Sequence, residues 1–304
     1  MDVLVTGAYG RCGTALIDHL HDDEYDFTYY NRSGRPDDHP YGGYETIVGN
    51  VTEAKKFREA SEGQDAMVHM AAYPSPSGDW TDVFEPNIVG TYNALEAARE
   101  EELETFVFLS TNHVMGLYET EHAPELYSRD YSLVVDHTDP VRPDSYYGAS
   151  KSFGEDLARY YVEQFEYPKR VYNLRVGTVN MPEYDHPYGN AESGVDEGSY
   201  ERGSEAYERA VARLKCTWQS RRDFSHEVDC CLADDSVEYG IFYGVSDNQR
   251  RWFDLEHARS RIDYNPQDDG DSRSAPRNFP FVSPVPQRLH SGGPSHSSPS
   301  SWGL

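Results

Sequence analysis

The chain has 304 residues, long enough for one large domain or for a main domain with a smaller lobe, and the element pattern below points to the second. Asp and Glu number 53 against 27 Lys and Arg, a formal charge of −26, and only five of the basic residues are lysine. Such a charge excludes nucleic acid and anionic membranes as partners, and it strains a compact fold unless salt screens it, so we expect a halophilic protein. No apolar run approaches the roughly 20 residues of a spanning helix and no basic, apolar leader opens the chain, so we expect it to be soluble and cytoplasmic. Cys12, Cys216, Cys230 and Cys231 lack ligand spacing, which predicts no metal site and a reducing compartment.

In chain order, "DVLVTG", "FTYY", "TIVG", "AMVHMAA", "TFVFLS" and "RVYNLRVG" read as strands. "TALIDHL", "AKKFREAS", "NIVGTYNALEAAREE" and "SYYGASKSFGEDLARYYVEQF" carry apolar residues at helical spacing between them. This alternation predicts an α/β fold, a doubly wound parallel sheet over residues 1–180. Two stretches, 117–141 and 182–205, are rich in Tyr, Asp, Glu and Gly without periodicity and read as surface loops. Helical and strand character returns in "EAYERAVARLKCTW" and "YGIFYGVSD", predicting a small lobe over 181–270. From Ser272 the chain has nine serines, six prolines and no acid, where the overall composition would place about six acids. Residues 271–304 therefore read as a disordered tail without chemistry.

The first strand runs into "GAYGRCG", with Gly7, Gly10 and Gly13 at the mouth of a helix. Glycines there let the backbone approach a pyrophosphate, which then meets the unsatisfied N–H groups of the helix start, with Arg11 beside them. At the end of the second strand an acid would bind both ribose hydroxyls and repel a 2′-phosphate. Here Asn31 is uncharged and Arg32 offers a planar fork for phosphate, which points to NADP, with NAD possible. Arg32 and Arg35 could alternatively decorate an exposed loop.

Tyr147 and Lys151 stand four apart at a helix start and so share one face. Chance would give about 0.4 such pairs in this composition, so the pair does not decide by itself. The order of glycine turn, "FVFLSTNHVMG" and then the pair carries more. With "RPDSYYGASKSFGEDLARYY", "LRVGT" and "YGVSDNQRRWFD", the chain resembles the extended short-chain dehydrogenase/reductase superfamily, closest to uronate dehydrogenases and haloarchaeal aldose dehydrogenases, over about residues 2–268.

The resemblance implies a Rossmann fold with Tyr147 as catalytic base, Lys151 as its partner and Thr111 as the hydroxyl beside the reacting oxygen. Asn50, where relatives often have Asp, together with Val51, Ala71 and Asn87, would line the cofactor. Ser75, Asn112, His113 and Arg213 would meet the substrate, Arg213 aligning with an arginine that holds the carboxylate in uronate dehydrogenases. A free tyrosine titrates near 10, so a base at pH 7 needs about 4 kcal/mol of differential stabilisation. The implied reaction is NAD(P)-dependent oxidation of a sugar at the anomeric carbon, with a free pentose such as L-arabinose favoured over glucose 6-phosphate or a uronate. A nucleotide-sugar epimerase or a non-catalytic dinucleotide sensor is the alternative. Dehydratases place an Asp and Glu pair after the threonine, where this chain has Asn112 and His113. The same resemblance implies a homodimer or higher oligomer through helices near 80–99 and 144–164.

Overall fold

Val3, Leu4 and Val5 have no exposed surface, and the two-residue period of a strand sends them to opposite faces. Val3 and Val5 pack with Leu16, Val68 and Phe224, while Leu4 packs with Phe57, Met67, Leu95 and Phe106. A strand covered on both sides belongs in the middle of a layered α/β structure. Burying one such side chain stabilises by roughly 1.5–3 kcal/mol and an exposed ion pair by about 0–1, so these two cores hold the molecule together.

The computed structural model describes residues 1–21 and 24–271. Its strands are β1 (Asp2–Thr6), β2 (Asp26–Asn31), β3 (Thr46–Val48), β4 (Ala66–His69), β5 (Thr105–Leu109), β6 (Arg170–Val176) and β7 (Tyr239–Gly244). They form one sheet in the order β3-β2-β1-β4-β5-β6-β7, and every pairing is parallel. The helices are α1 (Arg11–Leu20), α2 (Ala54–Ser61), α3 (Trp80–Val83), α4 (Gly90–Glu100), α5 (Gly116–His122), α6 (Tyr146–Gln164), α7 (Gly189–Asp196), α8 (Glu205–Thr217), α9 (Arg221–Ala233) and α10 (Glu256–Ile262). One face of the sheet carries α1 packed on α9, and the other carries α2, α4 and α6. The strand order reverses between β1 and β4, which opens a crevice at their C-terminal ends, where such folds bind ligands. No helix among the described residues is long and apolar enough to cross a membrane.

Two expectations change. The segment "YGIFYG" was assigned to the lobe, yet it is β7 and extends the main sheet, from Val171 opposite Tyr239 to Val176 opposite Gly244. An unpaired outer edge on β6 would leave backbone groups without partners, and β7 satisfies them. What remains of the lobe is α7 and α8 around Ala191, Tyr207 and Val211. The stretches read as loops also contain helices α5 and α7. Their buried faces mix small residues with charge: beside Gly116 and Ala191, Glu119 binds Arg213 and Glu192 binds Arg202, so hydrophobic periodicity misses them. The Ser- and Pro-rich tail lies outside the described residues.

Candidate active site

The glycine turn sits at the crevice. Gly7 has φ +71° and donates its N–H to the Tyr30 carbonyl at 3.0 Å, a conformation that suits glycine because it has no Cβ. A Cβ at Gly7 would lie 2.9 Å from the Ala71 nitrogen, and one at Gly13 would lie 2.4 Å from the Ala8 carbonyl oxygen. Gly10 begins α1 in extended conformation with no side chain capping the helix, so its first N–H groups are available to an anion. This uncapped, Cβ-free cradle fits a dinucleotide pyrophosphate. Arg11 is exposed at its edge. The sequence reading missed Arg221, which clamps the cradle from α9: its guanidinium donates to the Arg11 carbonyl at 3.0 Å and the Thr14 hydroxyl at 3.1 Å.

Asn31 closes β2, its amide donating to the Ser33 carbonyl at 2.8 Å. Arg32 is exposed and has no polar partner among the described residues. Arg35 is no loop decoration: its guanidinium lies 5.1 Å from the centroid of the Tyr9 ring and donates to the Tyr9 carbonyl at 3.4 Å. Tyr9 belongs to the glycine turn itself, so Arg35 is held against that turn.

The next four residues have structural partners. Asn50 accepts the Thr52 N–H at 3.2 Å on its side chain, and its own N–H donates to Glu53 at 3.0 Å. The Val51 side chain is buried and its carbonyl accepts from Asn93 at 2.8 Å. The Thr6 hydroxyl accepts the Met70 and Ala71 N–H groups at 3.1 Å each, which holds the turn after β4 against the glycines. Asn87 accepts from the Tyr73 N–H at 2.7 Å and donates to Ser150 at 2.8 Å and the Tyr73 carbonyl at 3.3 Å. Its amide is therefore fully engaged in tying the loop after β4 to α6.

Thr111 follows β5, and Tyr147 and Lys151 lie at the start of α6. Ser145 caps α6 by accepting the Gly148 N–H at 3.0 Å, which sets Tyr147 and Lys151 in its first two turns. Thr111 is 4% exposed and lies beside Tyr147. Burial pushes the Tyr147 phenol up to about 12, against the opposing pull of Thr111. Burial also brings the Lys151 ammonium down to about 7. Its Nζ donates to the Leu109 carbonyl at 2.7 Å and lies 4.6 Å from the Phe108 ring centroid.

Asn112 is buried beside Thr111. The His113 ring stands edge-on to Tyr147, centroids 5.9 Å apart, and its Nδ1 lies 2.7 Å from the Asp144 carboxylate. Burial raises Asp144, but His113 and Ser145 outweigh it and hold the carboxyl below its ordinary value. An ionised carboxylate only accepts, so Nδ1 carries a proton and donates it to Asp144. Asp144 escaped the sequence reading because its role depends on a partner 31 positions away. Ser75 bonds to Ser77 at 2.8 Å in the loop after β4. Arg213 binds Glu119 bidentately, at 2.6 and 3.0 Å. No cluster of three or more metal-ligating side chains occurs among the described residues.

A pyrophosphate cradle at the switch point of a parallel sheet, with a Tyr, Lys and Thr trio beside it, defines a dinucleotide-dependent oxidoreductase of the short-chain type. The model of the NAD dependent epimerase/dehydratase family matches residues 3–233. The chain belongs to that family. It is 34% identical over 270 residues to the NAD-dependent glucose-6-phosphate dehydrogenase of Haloferax volcanii, covering 88% of this chain and 93% of that protein. It is 33% identical over 273 residues to the L-arabinose 1-dehydrogenase (NAD(P)(+)) of the same organism, covering 88% and 96%. The crystal structure of glucuronic acid dehydrogenase from Chromohalobacter salexigens superposes with a TM-score of 0.69 at 27% identity, covering 89% of this chain and 85% of that one.

Proposed function

We propose that this protein oxidises a free aldose, a pentose such as L-arabinose foremost, at the anomeric carbon to the aldonolactone, with NADP as the preferred acceptor. The observation that carries the reading is Thr111 beside Tyr147 with Lys151 one turn further along α6, and no carboxylate in the two residues after Thr111 to drive an elimination. Bound in the cradle, the dinucleotide supplies a hydride acceptor and a positive ring. Gly7, Gly10 and Gly13 admit its pyrophosphate, and Arg32 and Arg35 favour a 2′-phosphate.

Tyr147 takes the proton of the sugar hydroxyl while Thr111 orients the same oxygen. The phenol near 12 must fall by five units to act at pH 7, which is roughly 7 kcal/mol. That value already contains the pull of Thr111, so the fall needs positive charge near the phenol, and a cation at about 4 Å contributes about 4 kcal/mol at an effective dielectric of 20. A charged Lys151, one turn further along α6, and the positive ring supply that charge. The His113 ring, held by Asp144 beside Tyr147, meets a neighbouring sugar hydroxyl, and α7 and α8 form the lobe that covers the sugar.

Glucose 6-phosphate or a uronate is the second reading, supported by the names of the relatives above. We further propose a salt-dependent cytoplasmic homodimer joined through α4 and α6, where Tyr92, Tyr146, Phe153 and Tyr160 are exposed. Initial rates for aldoses, sugar phosphates, uronates and UDP-sugars with NAD and NADP at molar salt test the reading. The highest kcat/KM is expected for a neutral pentose with NADP, and turnover of UDP-sugars alone would replace it with an epimerase.

A further inference from the structure

The substrate side holds a guanidinium whose partner is already chosen. Arg213 on α8 meets Glu119 on α5 through two nearly parallel bonds, Nε to Oε1 at 2.6 Å and Nη2 to Oε2 at 3.0 Å. That is the fork by which arginine takes a carboxylate or a phosphate. Tyr127 donates to the same carboxylate at 2.7 Å, and Glu119 is 8% exposed, so the pair is built into the fold.

Its position ties it to the reaction. Glu119 lies one turn beyond Gly116, and a Cβ on Gly116 would stand 2.1 Å from the Asp144 carboxylate. Asp144 in turn holds His113 beside Tyr147. Arg213 also feels the Asp144 charge directly. Arg213 thus faces two carboxylates; of the neighbouring cations, Arg209 is paired with Glu205 and Arg202 with Glu192, while Lys215, Arg250 and Arg129 share Asp271. An anionic sugar entering here gains the Arg213 fork only by stranding a buried glutamate.

We propose that Glu119 is a specificity-determining residue: by occupying the Arg213 fork it reserves the site for uncharged sugars and turns away uronates and sugar phosphates. This rests on the dehydrogenase reading above and narrows its substrate class.

Glu119→Gln tests it, since glutamine keeps the shape and an acceptor for Tyr127 while removing the charge. The ratio of kcat/KM for glucuronate over L-arabinose should rise at least tenfold in this variant, mainly through KM, and the added substitution Arg213→Met should reverse the gain. A ratio unchanged within threefold, or a wild-type protein that oxidises glucuronate as efficiently as L-arabinose, overturns the proposal. Thermal melts verify folding, and Glu119→Ser serves as a second variant. If no sugar is oxidised, the dehydrogenase reading falls, and calorimetric titration of glucuronate still decides: tighter binding to Glu119→Gln supports the role of Glu119, and equal binding refutes it.

Discussion

Glu227, on α9, has no exposed surface. Gln219 donates to its Oε2 at 2.7 Å, but Oε1 has no partner. Burial raises this carboxyl, the Gln219 bond lowers it and the Asp223 charge raises it again, from 4.5 to about 8. Between those two values the folded chain binds a proton that the unfolded chain releases. The stability due to protonated Glu227 is therefore whole below about pH 4.5 and is lost as pH rises towards 8. Each unit is worth about 1.4 kcal/mol, roughly 5 kcal/mol over the window. Glu227→Gln keeps the shape and an acceptor for Gln219 but does not titrate. Urea unfolding at constant molar KCl, from pH 5 to 9, should show the variant gaining on the wild type by about 1.4 kcal/mol per unit, levelling above pH 8. Curves that stay parallel across this range would mean that Glu227 is ionised in the folded protein and that the reasoning is wrong.

Tyr147→Phe should lower turnover by about 10²–10⁴-fold or more while leaving the dissociation constant for NADP within about twofold, read by fluorescence titration; retained turnover would remove Tyr147 from the chemistry. Arg32→Ala should raise the Michaelis constant for NADP at least about tenfold more than that for NAD, a loss of about 1.4 kcal/mol of phosphate contact; equal effects would return Arg32 to the loop surface. Arg175 and Glu155 form a buried pair at 3.0 and 2.8 Å, and Ser110 donates to the same glutamate at 2.5 Å. Glu155→Ala strands the Arg175 charge and should destabilise by about 3–5 kcal/mol in urea unfolding, and a loss under about 1 kcal/mol would contradict that account.

The glycine turn, the six strands of residues 1–176 and the Tyr147 and Lys151 pair could be read from the chain because each rests on local spacing. A strand's period of two and a helix's 3.6 put apolar residues inside and residues four apart on one face. The end of β2 was legible for the same reason, since Asn31 and Arg32 follow a strand that the pattern identifies. Tertiary structure alone decided the rest. β7 joins the sheet because β6 has an edge to satisfy; Arg35 reaches the cradle because Tyr9 offers it a ring and a carbonyl; and Asn87 is absorbed in holding Tyr73 and Ser150. The pairs that shape the substrate side, His113 with Asp144 and Arg213 with Glu119, span 31 and 94 positions. Charge pairing at that separation follows no repeat along the chain, so it becomes visible only where folding brings the partners within hydrogen-bonding distance.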